Sequence, residues 1–362
     1  MHGEMSDIVA PQAVDAGWLE RALAVGGVEA TLAGFTAEPV GTGQLAETWR
    51  FRLDYAHARP PGAPASVVGK FSCAEPAVTV NAAELGLYRA EVMFYRELAA
   101  RAAIRTPRVY RADMDDSGRD FVLLLEDLGH ARTGNHLDGV DLADVERAVD
   151  EAARLHAATW NDAMLGTAPW VYRPAGSMGF HDSASIRASW AWFDREIGAG
   201  LDSAVRTALL AWLAAHPAWL ARSSAARCFT HGDFRADNML FEDTRVCVVD
   251  WQTASYAGPA LDLAYFVGGA LPRDQRRECE EELLQRYHAR LCEYGVTGYG
   301  LDACRADYRH YCFAAVVVAL TGASRTRRTP RGDRLFLRMV SDAVWQAIDN
   351  GALDGLAAPG GA

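Results

Sequence analysis

One run of the chain, residues 229–266, restricts the possible folds more than any other. It holds His231-Gly232-Asp233-Phe234-Arg235-Ala236-Asp237-Asn238 and then Met239-Leu240-Phe241. A polar turn, Glu242-Asp243-Thr244-Arg245, leads into Val246-Cys247-Val248-Val249-Asp250-Trp251-Gln252. Two short apolar runs about a polar turn predict a β-hairpin. If Phe241 pairs with Val246, Asn238 falls opposite Val249, and Asp250 lies beside the loop that carries Asp233. Asp233, Asn238 and Asp250 then gather at one end of the hairpin. Phosphoryl transfer asks for such a set: a carboxylate near the attacking hydroxyl, and hard oxygen ligands for Mg²⁺ beside the phosphates. Magnesium keeps several waters, so one carboxylate and one amide oxygen from the protein suffice.

The spacing His-x-Asp-x-x-x-x-Asn, followed by an Asp at a strand end, resembles the catalytic loop of the protein-kinase-like fold. His231-Gly232-Asp233 stands where protein kinases have His-Arg-Asp. The run is similar to the small-molecule branch, the aminoglycoside phosphotransferase and choline kinase superfamily. Its nearest likeness is to ecdysteroid-kinase-like proteins, in which the loop is followed by Asp-Phe-Gln and then Pro-x-x-Asp-Leu. This chain has Asp250-Trp251-Gln252 and Pro259-Ala260-Leu261-Asp262-Leu263. The resemblance implies an α+β, two-lobed protein-kinase-like fold. An amino-terminal antiparallel β-sheet lobe precedes a mostly helical carboxy-terminal lobe, with ATP and Mg²⁺ as cofactors. On this reading Asp233 orients the acceptor hydroxyl, and Asn238 and Asp250 hold Mg²⁺. His231 and Asp262 brace the loop. Arg235 either reaches the γ-phosphate or forms a surface ion pair with Asp237.

Upstream, Ser66-Val67-Val68-Gly69-Lys70-Phe71 reads as a strand, and Lys70 is the only lysine of the chain. Kinases set such a lysine on the α- and β-phosphates; the alternative is a surface lysine whose stem lies over apolar neighbours. A buried ammonium needs an anion. Ala83 to Arg101 has helical periodicity, with Leu87, Phe94 and Leu98 on one stripe. Glu91 lies on that stripe and is assigned to Lys70; Glu84 and Glu97 align less well. Gly41-Thr42-Gly43 enters the strand Trp49-Arg50-Phe51-Arg52-Leu53. Its backbone N–H groups could face nucleotide phosphates, although an ordinary hairpin turn reads the same, and Ala46 replaces the third glycine of GxGxxG. Strands Val109–Met114 and Phe121–Leu125 flank a turn and run into Glu126-Asp127-Leu128-Gly129. In kinase-like folds this junction is the hinge whose backbone edge binds adenine, which nominates Glu126 and Leu128.

These signals divide the chain into a nucleotide-binding lobe over 1–128, with its hinge at about 126–129, and a helical catalytic and substrate lobe over 129–350. A disordered Gly/Ala-rich tail is expected over 351–362. Asp141 is expected to cap a long helix in which His156 is a core residue. Further helices are read over Asp274–Tyr294, Leu301–Gly322 and Leu335–Ile348. Residues 170–193 read as an aromatic loop able to wall a pocket for an apolar alcohol. The run Arg325, Arg327, Arg328, Arg331 and Arg334 reads as a solvated loop, or as a binder of an anionic group if it lies near the cleft.

The formal net charge of -11 argues against a nucleic-acid partner. Seven cysteines without a CxxC argue for free thiols in a reducing cytoplasm. No signal peptide is visible at Met1, and no apolar run reaches the ~20 residues that span a bilayer. A cytoplasmic kinase of a small-molecule alcohol, apolar or steroid-like, is therefore expected. A kinase of a polar metabolite or antibiotic (choline, aminoglycoside or macrolide type) and a nucleotide-binding protein without transferase activity stay open. The oligomeric state is not encoded in any feature of the sequence.

Overall fold

The computed structural model describes residues 8–41, 45–172, 182–222, 224–354 and 356. They divide into two compact units. The first comprises Met1–Ala100, Thr106–Ala131 and Val249–Gln252; the second comprises Arg101–Arg105, Arg132–Val248 and Thr253–Ala362.

In the first unit Asp15 accepts the backbone N–H of Trp18 and starts helix α1 (Ala16–Val25), as an N-cap aspartate does. Strands β1 (Leu32–Pro39), β2 (Ala46–Tyr55) and β3 (Ser66–Ser72) precede β4 (Val109–Met114) and β5 (Phe121–Glu126). They form an antiparallel sheet in the order β1-β2-β3-β5-β4. Burial alternates along β3. Val67 and Phe71 join Trp18, Leu19, Leu23, Phe51, Val122 and Leu124 in one apolar core. Each such side chain contributes about 1.5–3 kcal/mol when fully buried, which fastens this face of the sheet to α1. Period two then sets Lys70 on the opposite face, in register with Thr48 of β2 and Leu123 of β5.

The single helix expected over Ala83–Arg101 is instead α2 (Pro76–Glu84) and α3 (Leu87–Met93), the latter running into a π turn over Phe94–Leu98. Gly86 separates them at φ +69°, a left-handed conformation that a Cβ disfavours. The inward stripe survives the break: Glu91, Phe94 and Leu98 are buried, while Glu84 and Glu97 are exposed. Val249–Gln252 belong to this unit although they follow far later in sequence. The Trp251 ring stacks on Phe94, with centroids 3.8 Å apart. The first unit is therefore not a contiguous stretch of chain.

The second unit begins with the short strand β6 (Arg132–Thr133) and is mostly helical. Asp141, Asp162, Asp182 and Asp202 each accept backbone N–H groups at the starts of α4 (Leu142–Ala158), α5 (Ala163–Thr167), α6 (Ser183–Glu196) and α7 (Ser203–Ala221). Strand β7 (Cys228–Thr230), β8 (Met239–Phe241), β9 (Val246–Val248) and β10 (Ser255–Ala257) follow. β7 pairs with β10, and β8 lies between β6 and β9. The β8–β9 hairpin has the anticipated register, with Phe241 on Val246 and Met239 on Val248. Five helices close the unit: α8 (Ala260–Ala270), α9 (Arg273–Glu293), α10 (Leu301–Tyr311), α11 (Ala314–Arg325) and α12 (Pro330–Asp349).

Three expectations need correction here. The helix expected over Leu301–Gly322 breaks at Cys312 and Phe313. The last helix starts at Pro330 rather than Leu335. Thr329 Oγ1 accepts the Gly332 N–H at 3.0 Å and Pro330 occupies the first turn, a start signal the apolar pattern hid. Arg331 and Arg334 are thus helical. The aromatic segment is not a loop throughout, since Trp190, Trp192 and Phe193 lie on α6 with Phe193 fully buried. Residues 173–181, Gly43, and the tail positions 355 and 357–362 lie outside the described residues; Gly351–Asp354 form a turn. Among the described residues no helix is long and apolar enough to cross a membrane.

Candidate active site

In the first unit, period two in β3 and the stripe of α3 bring Lys70 and Glu91 together. Lys70 Nζ donates to Glu91 Oε1 at 2.9 Å, to Oε2 at 2.7 Å, and to Asp250 Oδ1 at 2.9 Å. Burial alone would lower the Lys70 pKa, but the two carboxylates outweigh it and hold the ammonium above its ordinary value. Burial pushes Glu91 up while Lys70 pulls it back. Gln252 Nε2 adds a donor to Glu91 Oε2 at 3.3 Å. Asp250 has φ +70°, uncommon for a residue with a Cβ and best tolerated by Asn and Asp. Its side chain is 40% exposed, and no hydrogen bond among the described residues engages Oδ2.

At the end of β5, Glu126 and Leu128 flank Asp127, which the sequence did not single out. Asp127 accepts from Arg50 Nε at 2.8 Å, Ser66 Oγ at 2.6 Å and the Gly129 N–H at 2.9 Å. Burial would raise its pKa, but the hydrogen bonds from Arg50 and Ser66 hold it below the usual range. It ties the segment after β5 to β2 and β3. A cleft of about 550 Å³ opens beside it, lined in part by Arg50, Ser66, Glu126 and Gly129. Gly41 has φ +77°; its partner Gly43 is not described.

In the second unit the His231–Asn238 loop is pinned from α8. Asp262 accepts the His231 N–H at 2.7 Å and the Gly232 N–H at 2.9 Å. Asp262 Oδ2 also meets His156 Nε2 at 3.1 Å, and His156 Nδ1 meets the Tyr287 hydroxyl at 2.7 Å. His231 Nδ1 accepts the Asp233 N–H at 3.2 Å. Gly232 has φ +82°, and a Cβ there would stand 2.3 Å from the Thr253 carbonyl oxygen. Any side chain at this position would displace the loop, which accounts for Gly in place of Arg.

Asp233 is half-buried among donors. Oδ1 accepts from the Tyr265 hydroxyl at 2.6 Å and Oδ2 from Asn238 Nδ2 at 3.0 Å. Arg235 Nε lies 3.0 and 3.1 Å from the two oxygens. Burial would raise the Asp233 pKa, but Arg235 and Tyr265 outweigh it and keep the carboxyl below its ordinary value. It is thus ionised at neutral pH, as a proton acceptor must be. Asn238 Nδ2 donates to Asp233, to its backbone carbonyl as well as to Oδ2, which turns the amide oxygen away from these acceptors. The alternatives left open for Arg235 are resolved in part: it pairs with Asp237 at 2.9 Å, yet at 17% side-chain exposure it is not a surface pair.

Tyr265 was not anticipated. The available signal was its place three residues after Asp262, on the same face of α8. Removing its hydroxyl in Tyr265→Phe takes a donor from the ionised form of Asp233, so that pKa must rise. The acid limb of the kcat pH profile is expected to move to higher pH, with a smaller loss of rate on the plateau. An unmoved limb would show that Tyr265 does not tune this carboxylate.

Comparison with known proteins bears on the fold and the family. The GDP complex of a mutant aminoglycoside 2'-phosphotransferase-IIIa has the same fold at a TM-score of 0.51 and 14% identity, over 86% of this chain and 92% of that one. The fold is protein-kinase-like, an antiparallel sheet followed by a mostly helical remainder. Residues 77–304 match the model of the phosphotransferase enzyme family. The protein belongs to that family and is a small-molecule phosphotransferase. Also similar are a candidate aminoglycoside phosphotransferase from Ralstonia eutropha (TM-score 0.49, 15% identity, 93% and 97% of the two chains) and aminoglycoside phosphotransferase APH(4)-Ia with AMP-PNP and hygromycin B (0.48, 15%, 94% and 99%). No curated protein matches the sequence significantly.

Proposed function

We propose that the protein transfers the γ-phosphate of ATP, as its magnesium complex, to a hydroxyl of a small molecule. The observation that carries this is Lys70 Nζ held between Glu91 and Asp250 on the face of the sheet opposite its apolar core. Lys70 meets the α- and β-phosphates, and Glu91 keeps its ammonium in place. Gly41 offers a backbone N–H group, and the backbone of Glu126 to Leu128 offers its edge to the base. Asp250 and Asn238 have the chemistry for Mg²⁺, since each keeps an oxygen outside the hydrogen bonds described above. When bound, the ion would neutralise charge on the phosphates.

Asp233 orients the acceptor hydroxyl and receives its proton. The hydroxyl oxygen bonds to the γ-phosphorus as the bond to the bridging β–γ oxygen breaks, and ADP leaves. Arg235 holds Asp233 ionised; His231 and Asp262 fix the loop backbone. An apolar or steroid-like acceptor is supported by the likeness of Asp250-Trp251-Gln252 to ecdysteroid-kinase-like proteins and by half-buried Trp190 and Trp192 on α6. The test is ADP release over a panel of alcohols, together with Asp250→Ala. That variant should weaken MgATP binding by at least about tenfold. Wild-type affinity in Asp250→Ala, or no ADP release with any alcohol despite MgATP binding, would overturn the reading.

A further inference from the structure

We infer that the acceptor carries an anionic group, a carboxylate or a phosphate, which binds the arginine stripe on the first turns of α12. This rests on the phosphotransferase reading and names its substrate class. Arg331 donates to Asp237 Oδ1 at 2.7 Å. Asp237 also holds Arg235 at 2.9 Å and accepts the His136 N–H at 2.9 Å. Arg235 in turn holds Asp233. Only two residues, Asp237 and Arg235, therefore stand between Arg331 of α12 and the carboxylate that faces the acceptor hydroxyl.

Arg334 and Arg338 follow Arg331 at i+3 and i+7, on the same face of the helix. Arg338 is engaged by Asp342. Arg334 is exposed and has no ion pair or hydrogen bond among the described residues. The charges do not balance: Asp233 and Asp237 between them serve Arg235 and Arg331, and nothing among the described residues serves Arg334. In a chain of net charge -11 this is a local excess of positive charge beside the loop. The first turn of α12 adds the positive end of a twenty-residue helix. A guanidinium presents a planar fork of donors that matches carboxylate or phosphate oxygens. The same face repels polycations, so aminoglycosides are poor candidates despite the structural relatives.

Two measurements test this. The first is thermal unfolding in saturating MgADP, titrated with inorganic phosphate. Wild type should show a saturable rise in Tm. Arg334→Gln should need about 10- to 100-fold more phosphate, as expected for a lost charge-assisted contact, and Arg334→Lys should recover part of the response. Identical curves for wild type and Arg334→Gln would overturn the proposal. The second is ADP release with acceptors that differ only in charge, cholate against its primary amide and glycerate against glyceramide, with kanamycin as the cationic arm. The acids should be preferred, and Arg334→Gln should raise their KM about tenfold or more with little change in kcat. Equal or better turnover of the amides or of kanamycin would overturn it. Failure of the phosphotransferase reading shows differently, as no ADP release from any acceptor, and leaves the phosphate titration readable.

Discussion

Replacing Asp233 with asparagine is expected to lower kcat by about 10²–10⁴-fold, the usual share of a general base. The KM for MgATP should stay within about twofold, because the loss falls on the chemical step rather than on nucleotide binding. The asparagine is nearly isosteric and can still meet Tyr265 or Arg235 with its carbonyl oxygen, so the loop keeps its support from Asp262. It cannot accept the proton. Its amide would also aim donors at groups that now donate to Asp233, namely Arg235 and Asn238. Single-turnover ADP release separates the two effects. A variant with wild-type kcat would remove Asp233 from the chemistry.

The second large effect is expected from Lys70→Met, which removes the ammonium and keeps most of the stem. Breaking one partner of a buried pair costs about 3–5 kcal/mol, and Glu91 is 1% exposed. The partly exposed Asp250 adds less. Left alone, Glu91 prefers its proton. A carboxyl whose folded pKa is raised loses stability as pH climbs above its unfolded value, roughly 4.3. The urea midpoint of Lys70→Met should therefore fall further below wild type at pH 8 than at pH 5. Adding Glu91→Gln should restore part of that midpoint but none of the MgATP affinity. A variant as stable as wild type at pH 8 would contradict the burial of this charge.

The parts of this arrangement that the sequence disclosed are those set by short-range geometry. The apolar run Ser66–Phe71 disclosed a strand carrying Lys70, while the face Lys70 takes is set by the burial alternation of β3. The helical stripe told which of three glutamates lies inward, and it did so even though Gly86 splits the helix. The hairpin register followed from one polar turn. What stayed hidden depends on tertiary partners that no local pattern names. Asp127 looked like one more hinge residue until Arg50 and Ser66, from two different strands, were seen to meet on it. Arg331 meets Asp237 across 94 positions of chain. In sequence it reads as a loop residue, because the apolar pattern begins only at Leu335, whereas Thr329-Pro330 starts the helix. In sequence Tyr265 is one aromatic among several residues of an apolar helix. The hydroxyl that distinguishes it becomes meaningful only once Asp233 lies 2.6 Å away.

Helix α8 bears both Asp262, which grips the loop backbone, and Tyr265, which donates to the Asp233 carboxylate. It is itself steadied from α12, where Gln346 Nε2 donates to the Ala264 carbonyl at 3.1 Å. A single rigid mount thus sets the loop's position and its chemistry at once. A slight rotation of that helix would drag anchor and tuner together. Swapping residues beneath α8 would consequently be felt as a change in rate before it was felt as a change in shape.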